Sequence, residues 1–155
     1  MQKTRGAIQG FHQGFYRNPS YLIPEKCLPK QATLQLYYIQ KYVKEFNLNE
    51  FITVFGLMYS IYYNVDFECE VEKYLYDVSM FCFEHNCTFD NLMRNWMNKV
   101  IQVTAVLNAI AAVYYEETPQ GDSHFAWFQN YSDIGANIGK LVRFCLDFDP
   151  RINIY

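Results

Sequence analysis

A formal charge of −3, from 13 Lys and Arg against 16 Asp and Glu in 155 residues, gives nucleic acid no electrostatic footing. The length corresponds to one domain, 1–155, able to bury a core of its own. Charged and aromatic residues each make up 19% of the chain, with 14 Tyr and 13 Phe. Scarce charge beside many aromatics suits protein contact surfaces, although an AT-rich coding bias supplies the same residues.

Apolar spacing predicts helices throughout and no strand alternation. Residues 5–17 carry Ile8, Phe11 and Phe15 on one side, and Asn18-Pro19-Ser20 ends that helix. Pro24 and Pro29 mark an extended connection. A second helix runs over about 31–46 with Leu36, Ile39, Val43 and Phe46 inward. Asn47-Leu48-Asn49 breaks it, and Asn49 caps a third helix to about 64. The fourth, about 67–84, repeats Phe67, Val71, Leu75, Val78 and Cys82. The acids Asp66, Glu68, Glu70 and Glu72 suit the solvated start of that helix.

The longest predicted helix covers about 89–116, capped by Thr88 or Asp90. Its stripe is Leu92, Trp96, Val100, Val103, Leu107, Ile110 and Tyr114, and Ala105, Val106, Ala109, Ala111 and Ala112 line its other side. A helix apolar nearly all round is central. Thr118-Pro119-Gln120-Gly121-Asp122 breaks the chain and 123–131 reads as a short aromatic turn. Ser132 or Asp133 then caps a last helix to about 146, with Ile134, Ile138, Leu141, Val142 and Cys145 inward. The fold class is therefore all-α: five to six helices packed around the 89–116 helix.

Five cysteines stand near predicted helix ends. A hairpin of the second and third helices brings Cys27 and Cys69 to one end. A last helix returning along 89–116 carries Cys145 toward Cys87 or Cys82. Cys69 and Cys82 lie about 19 Å apart along one helix, too far to join. Cys27–Cys69 and Cys87–Cys145 are thus the expected disulfides, with one cysteine left over; reduced, buried cysteines are the alternative. Cys82, His85 and Cys87 share a six-residue segment, but a zinc site needs a fourth ligand that no second motif supplies. The same segment departs from the Cys-x-x-His-Asp of secreted phospholipases A2. Asn86 replaces the Asp, the next cysteine is one residue too close, and no glycine-rich calcium loop exists.

Gly6, Gly10 and Gly14 fall four residues apart in the acid-free start of the chain. Three glycines on one helix face imply close approach of another backbone. Residues 1–24 are therefore expected to be a docking arm, with Gly6, Gly10, Phe11, Gly14 and Phe15 as its contacts. Its surface is either a partner or the Ala face of the 89–116 helix. The arm has the charge of a mitochondrial targeting segment but not the serine, and no apolar run long enough for a secretory leader.

No nucleophile motif, phosphate loop or dinucleotide fingerprint is present, and three histidines form no acid–base constellation. The carboxylate pairs Glu116-Glu117 and Asp147/Asp149 sit at helix ends, where solvation explains them. No uncharged run reaches the roughly 20 residues of a membrane span. The expectation is a non-catalytic accessory subunit of a larger protein assembly, such as a membrane-associated one, without cofactor, metal or transmembrane span of its own. The mitochondrial intermembrane space would reconcile disulfides with a missing leader. The alternative is a secreted or lumenal, disulfide-tied helical lipid-binding protein. It is similar to saposin-like domains in style only, because those carry six cysteines in a fixed order. For that route Asn86-Cys87-Thr88 and Asn130-Tyr131-Ser132 would be glycosylation sequons.

Overall fold

The computed structural model describes residues 1–45, 50–115 and 123–151. Among these the fold is all-α, with seven α-helices and no strand: α1 (Gln2–Tyr16), α2 (Lys30–Glu45), α3 (Phe51–Tyr63), α4 (Val71–His85), α5 (Phe89–Asn98), α6 (Val100–Tyr115) and α7 (His124–Leu146). A π-helical stretch, Asn64–Glu68, follows α3. The predicted break at 47–49 with its Asn49 cap, the 118–122 break and the Glu116-Glu117 pair lie outside the described residues. The chain divides into two compact units, one formed by Met1 with Ile23–Tyr74 and the other by Gln2–Leu22 with Leu75–Tyr155.

In the first unit α2 packs against α3, and Gln35 Nε2 donates to Ser60 Oγ at 3.0 Å between them. The connection before α2 is held by backbone turns, with Cys27 N–H donating to the Pro24 carbonyl at 3.0 Å and Ala32 N–H to Pro29 at 2.9 Å. Leu36 and Val43, expected inward, are exposed, while Ala32 is buried. No residue of α3 is buried.

In the second unit α7 is the organising helix and packs against both α1 and α6. This replaces the expected central helix at 89–116. That segment breaks at Lys99 into α5 and α6, bent by 85°. No Gly or Pro stands at the bend. Lys99 leaves helical geometry at φ −115°, with its ammonium paired to Asp147 and 5.8 Å from the Phe144 ring centroid. The tertiary anchor stands where a breaker residue would be expected.

Residues 123–131 are not a separate turn but the first turns of α7. Ser123 supplies the cap, its Oγ accepting from Ala126 N–H at 3.4 Å, and nothing between 124 and 146 stops the helix. Asp147 closes it in the left-handed region at φ 60°, with Phe148 N–H returning to the Arg143 carbonyl at 3.1 Å. Thr88 is the cap of α5, as one of the two expected residues, accepting from Asn91 N–H.

The buried faces also differ from the predicted stripes. On α4 Leu75 is exposed, and so is Phe67 before it, while Asp77 and Phe81 are buried. On α6 Val103, Val106 and Val113 face inward, and Leu107 and Tyr114 face out. The core of this unit is an aromatic cluster of Phe15, Phe81 and Phe148. Phe15 stacks on Phe148 at 4.7 Å between centroids, and Phe81 meets Phe148 edge-on at 5.3 Å.

Candidate functional site

The seam between α1 and α7 explains the glycine stripe. A Cβ on Gly6, Gly10 or Gly14 would run into the carbonyls of Phe128, Ser132 and Ala136, and one on Gly135 or Gly139 into those of Ala7 and Phe11. Glycines on both helices interleave, so the backbones approach as in tandem small-residue contacts. Gly6, Gly10, Gly14 and Phe15 are buried there and Phe11 is half-buried. The surface they meet within the chain is α7 rather than the Ala face of 89–116. Lys3 Nζ closes the seam at its far end, 3.7 Å from the Trp127 ring centroid.

That seam buries polar groups to an unusual degree. The buried residues of α7 are Asn130, Ser132, Gly135, Asn137, Gly139 and Arg143, while Ile138, placed inward by the sequence pattern, is exposed. Arg143 donates to the Gly14 carbonyl at 3.1 Å, satisfying a C-terminal carbonyl of α1. Burial, then the charge of Arg17, pulls the Arg143 guanidinium below its ordinary value, with Asp149 opposing. His12 lies in the same region, stacked on Tyr21 at 3.5 Å between centroids. Tyr16 donates its hydroxyl to Asp77 Oδ2, and Asp77 is fully buried with Oδ1 left unmatched. The sequence does not mark Asp77, because an acid inside an apolar helix reads as one more exposed position.

Two disulfides are present, Cys27–Cys69 and Cys82–Cys87, and Cys145 is free. Cys27 and Cys69, with Cα atoms 4.7 Å apart, are both completely buried. Asn64 clamps the same loop from the π-helical stretch. Its Oδ1 accepts from Leu28 N–H at 2.6 Å and its Nδ2 donates to the Lys26 carbonyl at 3.1 Å.

The expected Cys87–Cys145 pairing does not form. Asn86 takes the left-handed conformation at φ 52°, which folds the chain back at the end of α4 and sets Cys87 on Cys82, five residues earlier. Cys145 instead lies against α5, its carbonyl accepting from Asn95 Nδ2 at 3.0 Å. Burial pushes its thiol up, with Lys99 pulling the other way. The signal for the short bridge was Asn86 itself, since Asn tolerates this conformation at helix ends.

Both cysteines of the Cys82–His85–Cys87 segment are oxidised to a bridge and so offer no thiolate. Among the described residues no group of three His, Cys, Asp or Glu is arranged to hold a metal ion. A cavity of about 550 Å³ opens beside this corner, lined by Phe81, His85, Asn91, Arg94, Asn95 and the Leu146–Asp147 turn. Asp149 borders it, and hydrogen bonds from Arg151 hold its carboxyl well below the usual carboxylate range. Asp147 and Asp149 are thus each matched to a cation.

Large apolar side chains crowd the outer surface. On α3 Phe51, Ile52, Phe55, Met58, Tyr59 and Tyr62 are exposed, Ile52 at 82%. On α5 Phe89, Met93, Trp96 and Met97 form one exposed face, and Val100 and Ile101 at the start of α6 are exposed as well. No single described helix is long and apolar enough to cross a membrane; α5 and α6 meet that test only together, across their 85° bend.

Of the two sequons, Asn130 is buried and donates to the Val113 carbonyl at 3.3 Å. Asn86 is exposed.

No protein-family model, curated protein or solved structure matches this chain.

Proposed function

We propose that the chain is a non-catalytic accessory subunit of a larger protein assembly. The observation that carries this reading is α3: a thirteen-residue helix without a charged residue, none of it buried, presenting Phe51, Ile52, Phe55, Met58, Tyr59 and Tyr62. Exposed apolar surface on this scale marks an interaction site, and aromatic and Met side chains over a charge-free patch have the composition of an interface core. The contact surface is thus α3, with the outer face of α5 as a second one, and the N-terminal helix serves the fold instead. Two disulfides fit an oxidising compartment, of which the mitochondrial intermembrane space and the secretory route are the two candidates. Sedimentation of native material tests the reading: the chain is expected in a particle far larger than its own mass, and a monomer would contradict it.

A second reading, lipid binding by a disulfide-tied helical protein, draws on α5. This helix divides sharply into Phe89, Met93, Trp96 and Met97 on one face and Asp90, Asn91, Arg94 and Asn95 on the other, the pattern of an interfacial helix. Flotation of the isolated chain with phosphatidylcholine–phosphatidylserine vesicles is the test.

A further inference from the structure

The two disulfides differ in a way that separates their roles. Cys27 and Cys69 are sealed from solvent. Cys82 and Cys87 are partly exposed and flanked by the exposed Phe83, Glu84, His85 and Asn86. Thiol–disulfide exchange requires an attacking thiolate to reach a sulfur, so only the second bridge is open to it.

The corner around Cys82–Cys87 is also held by bonds that do not involve sulfur. Asn86 N–H donates to the Cys82 carbonyl at 3.0 Å and Thr88 N–H to the Asn86 carbonyl at 2.7 Å. Asn91 Nδ2 donates to the same Asn86 carbonyl at 2.9 Å, and Asn91 N–H caps on Thr88. Behind the corner, both cysteines pack on the Phe15–Phe81–Phe148 cluster. Opening the S–S bond leaves these contacts in place, so the two sulfurs stay near each other and can rejoin.

We propose that Cys82–Cys87 is a reversible dithiol–disulfide couple that exchanges with a dithiol reductant, small molecule or protein, while Cys27–Cys69 is a permanent staple. A thiolate of the reductant attacks one sulfur of the bridge and forms a mixed disulfide. The other cysteine leaves as a thiolate and takes a proton. The second thiol of the reductant, as its thiolate, then displaces the remaining cysteine, which is protonated in turn. Two electrons and two protons pass to the protein, and the reductant leaves as its own disulfide. Cys145 stays outside the couple: its thiol is half-buried against α5, where Asn95 Nδ2 holds its backbone carbonyl at 3.0 Å.

The test takes the oxidised full chain, and its Cys145→Ser counterpart, through graded dithiothreitol. Each point is quenched with acid, alkylated with N-ethylmaleimide and mapped by peptide mass. Cys82 and Cys87 are expected to label at reductant concentrations at least about tenfold below those that label Cys27 and Cys69, with helical circular dichroism unchanged. Glutathione disulfide is then expected to restore the Cys82–Cys87 link in both proteins. Simultaneous opening of the two bridges, loss of helicity at the first step, or reclosure of the wild-type chain onto Cys145 would each overturn the proposal.

Discussion

Gly10 of α1 lies so close to the Ser132 carbonyl of α7 that no side-chain atom fits between them. Ala136 N is the next neighbour of that position, 2.7 Å from where a Cβ would stand. The obstacle on both counts is backbone, which cannot turn aside as a flexible side chain would. Gly10→Ala is therefore expected to cost about 3 kcal/mol, the upper part of the range for overpacking. Gly56→Ala is the internal control. Nothing lies within 4 Å of that position on α3, so in the isolated chain the change is expected to add about 1 kcal/mol from helix propensity alone. Urea unfolding of the two variants reads both signs, and equal effects would contradict the seam.

Tyr16→Phe removes the hydroxyl that serves the buried Asp77 carboxylate. A loss of about 1–3 kcal/mol is expected, because a buried acceptor is left without its donor. Asp77→Asn in the Tyr16→Phe background is expected to recover part of that loss, since a neutral amide is cheaper to bury than a carboxylate. A double-mutant cycle by denaturant unfolding measures the coupling, and additive effects would mean that the pair does not interact.

Much of the fold is legible in the sequence, and what is not has identifiable causes. Helix ends at Thr88, Asn18-Pro19 and Pro29 follow from capping and proline chemistry, which act locally. The Gly6/Gly10/Gly14 spacing also announces a close helix contact; only the identity of the opposing helix is hidden, since α7 matches it with Gly135 and Gly139 in a helix whose Ser123 cap lies nine residues before the expected Ser132. The break at Lys99 carries no local signal, because an ion pair to Asp147, far along the chain, stands at it. Apolar stripes failed as guides to the buried face for a different reason. Here α3 buries none of its apolar residues and α7 buries small and polar ones, so an apolar stripe does not by itself mark the buried face.

Cys145 gives a pH-dependent readout. Burial raises its thiol in the folded chain, so the protonated form is favoured there. That contribution to stability is intact below the ordinary cysteine range and fades as pH climbs through the raised value. Alkylation of the oxidised native chain by iodoacetamide is expected to be slow at pH 8, to accelerate at higher pH, and to become fast in denaturant. Free-thiol reactivity at pH 8 equal in native and denatured chain would contradict the partial burial of Cys145.

Asn130 is expected to carry no glycan in native material, because its side chain is buried against the Val113 carbonyl. Asn86, exposed at the α4–α5 corner, is the one sequon of the two that a folded chain presents. Glycopeptide mass mapping checks both positions, and an occupied Asn130 would mean that α6 and α7 do not pack as described.

The most direct test of the accessory-subunit reading places charge on α3. Ile52→Glu and Phe55→Glu change exposed side chains, so the isolated variant should keep its helicity and its urea midpoint. Expressed in the native host, it should drop out of the large particle that holds the wild-type chain, as read by sedimentation. A variant that stays in that particle, or a wild-type chain that sediments alone, would contradict the account.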